Sequence, residues 1–299
     1  MRWMTKSELR ETAYMYTFTA PWIIGFIQFI GGPIVVSGYY SLTRYDIANA
    51  PVFIGLKNYI DLFQNELFWK SAGVTLYYTL VGVPAGLFIS LLAAMLLNVA
   101  IPGQRLFRTI VYMPSVVSGV SLSLLWLWLL NPDFGAVNMF IYNVFHVQGP
   151  GWLTDQKWVI PSLIMMSFWT LGNHVVIYIA GLKGVPANLY EAAQIDGASK
   201  LRQFWNITVP MVSPVTLFLL ITGIIGSFQV FVQASVMTDG GPNYASYFYV
   251  YYLYQQAFKS FNLGYASAMA WILFVFVGAL TWFMMKLSGK WVHYEGGEQ

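Results

Sequence analysis

"EAAQIDGASKLRQFWNITVPMVSP", Glu191 to Pro214, is a polar, turn-punctuated stretch set between two long apolar runs. It carries two acids, two bases, a glycine and two prolines. Its start, with the preceding "VPANLY", reads as a short helix. Pro186 suits a first turn, Glu191 lies near the positive end, and Ala192 and Ala193 are good helix formers with little bulk. Gly197 stands where a left-handed cap is wanted. "SKLRQFWNI" starts a second helix, and Val209-Pro210 leads into the next apolar run. The result is helix, glycine turn, helix. Small residues beside an acid let the groove of another protein approach closely. An amphipathic loop resting on lipid headgroups has the same composition. The apolar runs on either side decide which setting applies.

The 299 residues are 58% hydrophobic, 18% aromatic and only 9% charged, against roughly 25% charged in a soluble domain. That balance implies an integral membrane protein. There is no cysteine, which excludes disulfides and thiol chemistry, and a net charge of +3 is too small to argue for nucleic acid. Charge-free gaps run from Thr12 to Thr43, Ser71 to Gln104, Thr109 to Pro132, Trp158 to Leu182, Gln203 to Thr238 and Ser260 to Met285. Each exceeds the ~20 residues a helix needs to cross the hydrocarbon. The expectation is an all-α polytopic protein forming a single transmembrane domain over 1–299. Its six spans are placed at approximately 14–42, 72–97, 107–130, 158–181, 210–236 and 264–286. Phe134 to Thr154 and the tyrosine-rich Gly240 to Phe258 read as interfacial or loop segments. Pro84 with Gly82 and Gly86 suggests a kinked, closely packed second span.

Lys and Arg set the orientation. With the N-terminus inside, ten of the 15 (Arg2, Lys6, Arg10, Arg105, Arg108, Lys183, Lys200, Arg202, Lys286, Lys290) face the cytoplasm. An even number of spans returns the C-terminus inside. The N-terminal tail then reads as a short cytoplasmic helix with a capping-box pattern at Thr5 and Glu8. The Glu191 stretch becomes the longest cytoplasmic loop, between spans four and five.

That loop resembles the EAA motif of the permease subunits of bacterial ABC importers. Glu191-Ala192-Ala193 is followed by Gly197, then after nine residues by Ile207 and Val209-Pro210, where the family usually has Leu before the proline. "FRTIVYMPSVVSGVSLSLLW" (Phe107–Trp126), "GAVN" (Gly135–Asn138), "TDGGP" (Thr238–Pro242) and "GYASAMAW" (Gly264–Trp271) are similar to the carbohydrate-uptake branch. Within that branch the chain looks like the type of the maltose permease's larger half and the glycerol-3-phosphate permease. The resemblance implies a coupling helix in which Glu191, Ala192, Ala193, Asp196 and Gly197 meet a separate ATPase. It also implies a second permease, most simply a different chain, and two ATP-binding subunits that hold the ATP and Mg. An extracytoplasmic solute-binding protein, a carbohydrate substrate and a place in the bacterial cytoplasmic membrane, among its lipids, complete the expectation. The chain itself has no phosphate-cradling G-x-x-x-x-G-K-[ST] sequence, needs no cofactor and is not an enzyme.

Apart from Arg108 and Lys286 at the cytoplasmic ends of their spans, no Asp, Glu, Lys or Arg falls inside a proposed span, which argues against an ion-coupled secondary transporter. The three His (146, 174, 293) are too scattered for a dyad or metal cluster. His174, the one ionisable residue in a span, reads as a packing or hydrogen-bonding residue. A neutral path suits a neutral, hydroxyl-rich solute, with Asn173 and Trp169 in span four, Ser121 and Trp126 in span three, and Gln233 in span five as candidates. Gln229 and Gln233, four apart, would share one helix face, either lining the path or joining helices. By resemblance, Gly172, Phe228 and Gln229 match positions near the transmembrane sugar site of the maltose permease. An importer for another polar solute is the alternative.

Overall fold

The computed structural model describes residues 6–99 and 102–292. Arg2, the expected capping residue Thr5 and His293 lie outside them. The chain is helical almost throughout and divides into two compact units. Among the described residues three helical stretches are long and apolar enough to cross a membrane: Arg10–Ser41 (32 residues), Glu66–Asn98 (33) and Leu263–Ser288 (26). Three more candidates are bent pairs: Gln104–Val116 with Gly119–Leu129 (99°), Val159–Trp169 with Gly172–Gly184 (52°), and Lys200–Met211 with Ser213–Phe228 (65°). Counting each pair as one span gives up to six.

The first unit holds residues 1–64 and 253–273. Helix α1 (Lys6–Phe26) passes through a π-turn into α2 (Gly32–Ser41). Among the described residues the tail forms no separate helix: from Lys6 it runs into the apolar stretch as part of α1, which passes through Pro21. A two-stranded hairpin, β1 (Thr43–Arg44) and β2 (Val52–Phe53), leads to α3 (Lys57–Gln64). The buried Asn58 amide ties the turn together by donating to the Ser41 and Thr43 carbonyls, each at 2.8 Å. In the hairpin loop, hydrogen bonds from the Asn49 side chain and backbone hold the exposed Asp46 carboxyl below its ordinary pKa.

The second unit, residues 65–252 and 274–299, is built on α4 (Glu66–Asn98), which starts on an Asn65 cap and runs through Pro84 as one helix. The remaining elements are α5 (Gln104–Tyr112), α6 (Gly119–Leu129), α7 (Ala136–Phe145), α8 (Val159–Trp169), α9 (Gly172–Gly184), α10 (Ala187–Ile195), α11 (Lys200–Gln203), α12 (Val209–Met211), α13 (Ser213–Phe228), α14 (Tyr249–Tyr254) and α15 (Leu263–Ser288), the last two shared with the first unit. α4 packs along α9, α13 and α8. Leu87, Leu91, Val175, Tyr178, Ile179, Leu182, Val212 and Leu219 form the seam between them. Polar groups join it: the Thr79 and Ser227 hydroxyls meet at 2.8 Å, and Tyr178 donates to Thr216 at 3.2 Å.

The tyrosine-rich segment is core rather than headgroup decoration. Tyr247, Phe248, Tyr249, Tyr251 and Tyr252 are all buried. Phe248 meets Tyr78 edge-on at 5.3 Å, and the Tyr249 N–H donates to Thr75 at 2.9 Å. The turn before it is closed by left-handed Asp239 and Gly240, by a Tyr251–Asp239 hydrogen bond, and by Ser246, which donates to the Gly241 carbonyl at 2.6 Å. A Cβ on Gly240 would lie 2.4 Å from the Tyr247 ring, so only glycine fits there. Burial, then the neighbouring Tyr244 and the Asp239 carboxylate, push the Tyr247 hydroxyl up to about 12.

Candidate functional site

The loop after α9 begins with Pro186 in an extended conformation as the N-cap of α10, one position before the first helical residue. The nine residues of α10 include none that is buried. Glu191, Ala192, Asp196 and Gly197 are exposed, Ala193 is half-buried, and Ile195 is 88% exposed.

What holds α10 is its ends. Gly197 has φ +72 and closes the helix with two bonds, Gly197 N–H to the Gln194 carbonyl at 3.1 Å and Ala198 N–H to the Ala193 carbonyl at 2.8 Å. Those two spacings are a Schellman motif. The Ser199 hydroxyl then caps α11 by accepting from the Arg202 N–H, and the buried Gln203 amide donates to the Ala198 carbonyl at 2.9 Å. The Tyr190 and Thr208 hydroxyls meet at 2.9 Å, fastening α10 to the π-turn Phe204–Thr208 that feeds α12 and α13. Tyr190→Phe removes this bond, a loss of about 1 kcal/mol. Hydrogen exchange at the amides of residues 191–195 should then quicken about fivefold, with α9 unchanged. An unchanged rate would mean that α10 is held by its ends alone.

A cavity of about 490 Å³ lies deeper in the same unit, walled by α4, α6, α8, α9 and α13. Three helix breaks converge on it. Val117 precedes α6, Thr170 and Leu171 separate α8 from α9, and Val230 belongs to the interruption at residues 229–231 after α13. At these breaks the backbone leaves its helical hydrogen bonds. Within a candidate span such irregular backbone is tolerated where protein or a water-filled cavity faces it. The wall is polar without being charged: Ser115, Ser167, Thr170, Asn173, Thr222, Ser227 and Gln233 line it with His174, and among the described residues no Asp, Glu, Lys or Arg does.

Of the residues proposed from sequence for the solute path, Asn173 and Gln233 line this cavity. The others do not. Gly172 is buried, with the Tyr112 and Val111 backbones closed over it. Phe228 is buried against Phe276 with centroids 5.4 Å apart. Gln229 is exposed and ends α13, its N–H donating to the Gly226 carbonyl. The helix therefore stops between Gln229 and Gln233, and the shared face expected from their spacing does not exist. Ser121 lies in the first turn of α6, its hydroxyl accepting from the Ser118 cap at 2.9 Å. Trp126 is buried edge-on to Trp169 at 5.2 Å. The hydroxyls of the wall and the Gly82 and Gly86 pair on it were missed as site residues. Their signal was Thr222/Gly226 and Gly223/Ser227, each four apart on α13, opposite Tyr78, Gly82 and Gly86 on α4.

Comparison with known proteins adds a family and a fold. Residues 82–293 match the family of binding-protein-dependent transport system inner membrane components. The chain is 38% identical over 299 residues to the probable ABC transporter permease protein YesP of Bacillus subtilis (strain 168), covering 99% of this chain and 96% of that one. It is 30% identical over 264 residues to the sn-glycerol-3-phosphate transport system permease protein UgpA of Yersinia enterocolitica, covering 86% and 88%. A bacterial ABC transporter involved in import of the acidic polysaccharide alginate has a chain of the same fold, with a TM-score of 0.83 at 24% identity over 95% of this chain and 98% of that one.

Proposed function

The chain belongs to the family of binding-protein-dependent transport system inner membrane components, and on that premise we propose that it is one membrane subunit of an ATP-driven importer that admits a sugar or oligosaccharide by alternating access. It has six spans with both termini in the cytoplasm, and α10 is its coupling helix. A second permease completes the pathway. Two copies of an ATP-binding subunit, which hold the ATP and Mg, dock on the cytoplasmic side of the bacterial inner membrane. A solute-binding protein delivers substrate from the other side.

The observation that carries this reading is α10: an exposed helix with no buried residue, rigidly closed at Gly197 and fastened at Tyr190. A body docked on Glu191, Ala192 and Asp196 cannot move α10 alone. Through residues 185–186 it moves α9, a 13-residue rod roughly 20 Å long at ~1.5 Å per residue. Through Tyr190–Thr208 it moves the start of α13. The far ends of both reach the cavity, at Thr170–His174 and at Thr222–Val230. Closure of the ATPase is thereby converted into a change at the three helix breaks. The sugar-branch sequences and the uncharged, hydroxyl-rich cavity support the substrate class.

Disulfide crosslinking tests the docking. The chain has no native cysteine, so Ala192→Cys on the exposed face of α10 is a clean probe; Ala193 is half turned away. Co-expressed with its partner permease and with an ATPase carrying cysteines in its docking cleft, it should crosslink in membranes in a nucleotide-dependent way. Absence of the product, with the ATPase folded and present, would overturn the coupling role.

A further inference from the structure

His174 was expected to be a packing or hydrogen-bonding residue within the bundle. The structure places its ring on the cavity wall in the first turn of α9, with the Nδ1 atom enclosed and without a partner among the described residues. A buried ring nitrogen left unpaired is unfavourable, and a rotation of the ring toward a solute hydroxyl relieves it.

The hydroxyls around it are one-sided. Ser115, Thr170 and Thr222 each direct their proton to a carbonyl three or four residues back in the chain, at 2.6 to 2.9 Å, while Ser167 is engaged with the Tyr78 hydroxyl and Ser227 with the Thr79 hydroxyl. A hydroxyl has one proton and two lone pairs, so what the first three turn to the cavity is acceptor capacity. A polyol carries many protons to give. A carboxylate or phosphate carries none and needs donors or a cation. The wall has no Lys or Arg. Helix ends of both polarities meet there, since α6 and α9 begin at it while α8 and α13 end at it, so no net dipole favours an anion.

We propose that this cavity selects a neutral, hydroxyl-rich solute over an anionic one, with His174 as the specificity-determining side chain that takes a solute hydroxyl. The inference rests on the importer reading and names the solute class for it. An uncompensated anion at this depth is unfavourable, while a neutral sugar finds acceptors on the Ser and Thr hydroxyls and mixed groups at Asn173 and His174.

The test uses the complete importer in proteoliposomes: this chain, its partner permease, the ATPase and the binding protein. The probes are three neutral trisaccharides (maltotriose, cellotriose, xylotriose) and two uronate trimers (trigalacturonate, triguluronate). The importer should accumulate at least one neutral probe, and each uronate at least about tenfold less. His174→Leu should lower neutral uptake about tenfold or more, with co-purification of all subunits retained, while His174→Gln, which keeps an acceptor and a donor, restores it. His174→Lys should shift the preference toward the uronates, which a merely structural role would not do. Uptake of uronates in preference to neutral probes overturns the inference, and so does neutral uptake by His174→Leu equal to wild type. Should His174→Leu fail to assemble, the wild-type ratio and His174→Gln still decide. Uptake of none of the five overturns the sugar reading beneath it, and an undiminished crosslink at position 192 then shows that the importer reading survives.

Discussion

Gly197→Pro should abolish uptake while leaving the protein inserted at wild-type abundance. The backbone at Gly197 has φ +72. Proline is locked near −65° and has no N–H, so the substitution forbids the turn and removes the bond to the Gln194 carbonyl together. The Schellman closure is lost, and with it the fixed direction in which α10 leaves and α11 begins. The distortion is at least about 3 kcal/mol locally. It has nowhere to spread, because nothing lies within 4 Å of a Cβ at this position and α10 buries no residue. Membrane insertion and the core around Leu87, Tyr178 and Leu219 should be untouched. Gly197→Asn is the matched control: Asn visits the left-handed region readily, keeps its N–H and should retain most uptake. Transport assays in vesicles normalised to immunoblotted permease would measure both. Full uptake by Gly197→Pro would mean that the rigid exit from α10 does not transmit anything.

The Glu191–Ser199 loop was legible because its structure is made locally. Gly197, Ser199 and the Ala192-Ala193 pair each do their work within five residues, and local hydrogen bonding needs no tertiary partner to be read. The apolar stretches were legible from the charge gaps alone. Where each helix breaks was not. Pro84 marked a kink in the second span, yet α4 passes through it as one helix. Interruptions fall instead at Val117-Ser118, Thr170-Leu171 and residues 229–231, where no proline stands, and at Val212, between Pro210 and Pro214. They are fixed by what packs across them, such as the Tyr112 turn seated on Gly172, and sequence periodicity carries no trace of that. The cavity was illegible for the same reason. Its wall is assembled from five helices, and Ser and Thr in apolar helices read equally well as glue between neighbours. Aromatics on every face of the 244–258 segment gave a fairer clue. A helix apolar all round is buried, and Tyr249, Tyr251 and Tyr252 are.

Gly172→Val should cost the folded permease more than any other single change on the α9 side of the cavity. A Cβ at Gly172 would sit 2.7 Å from the Tyr112 Cα, 2.7 Å from the Val111 carbonyl oxygen and 3.1 Å from the Ser115 hydroxyl. The first two are backbone atoms and cannot rotate away. The start of α9 and the end of α5 must separate, and overpacking of this kind costs about 1–3 kcal/mol, more where the backbone itself must move. The expected result is a complex that unfolds at lower temperature and is recovered from detergent in reduced yield, with uptake falling in proportion to the folded protein. Gly226→Ala on α13 is the contrast. Gly226 also lines the cavity, but nothing lies within 4 Å of its Cβ, and Ala in a helix is favoured over Gly by about 1 kcal/mol, so thermal stability should hold or rise. The pair separates two roles for glycine on one wall. By resemblance Gly172 belongs to a sugar site, whereas its surroundings make it the point where two broken spans touch. If Gly172→Val assembled with wild-type stability and lost only uptake, the close approach would be wrong and Gly172 would be a residue that the solute meets. If stability and uptake fall together, the glycine is there because the end of α5 crosses the start of α9 so closely that only a hydrogen atom fits between them.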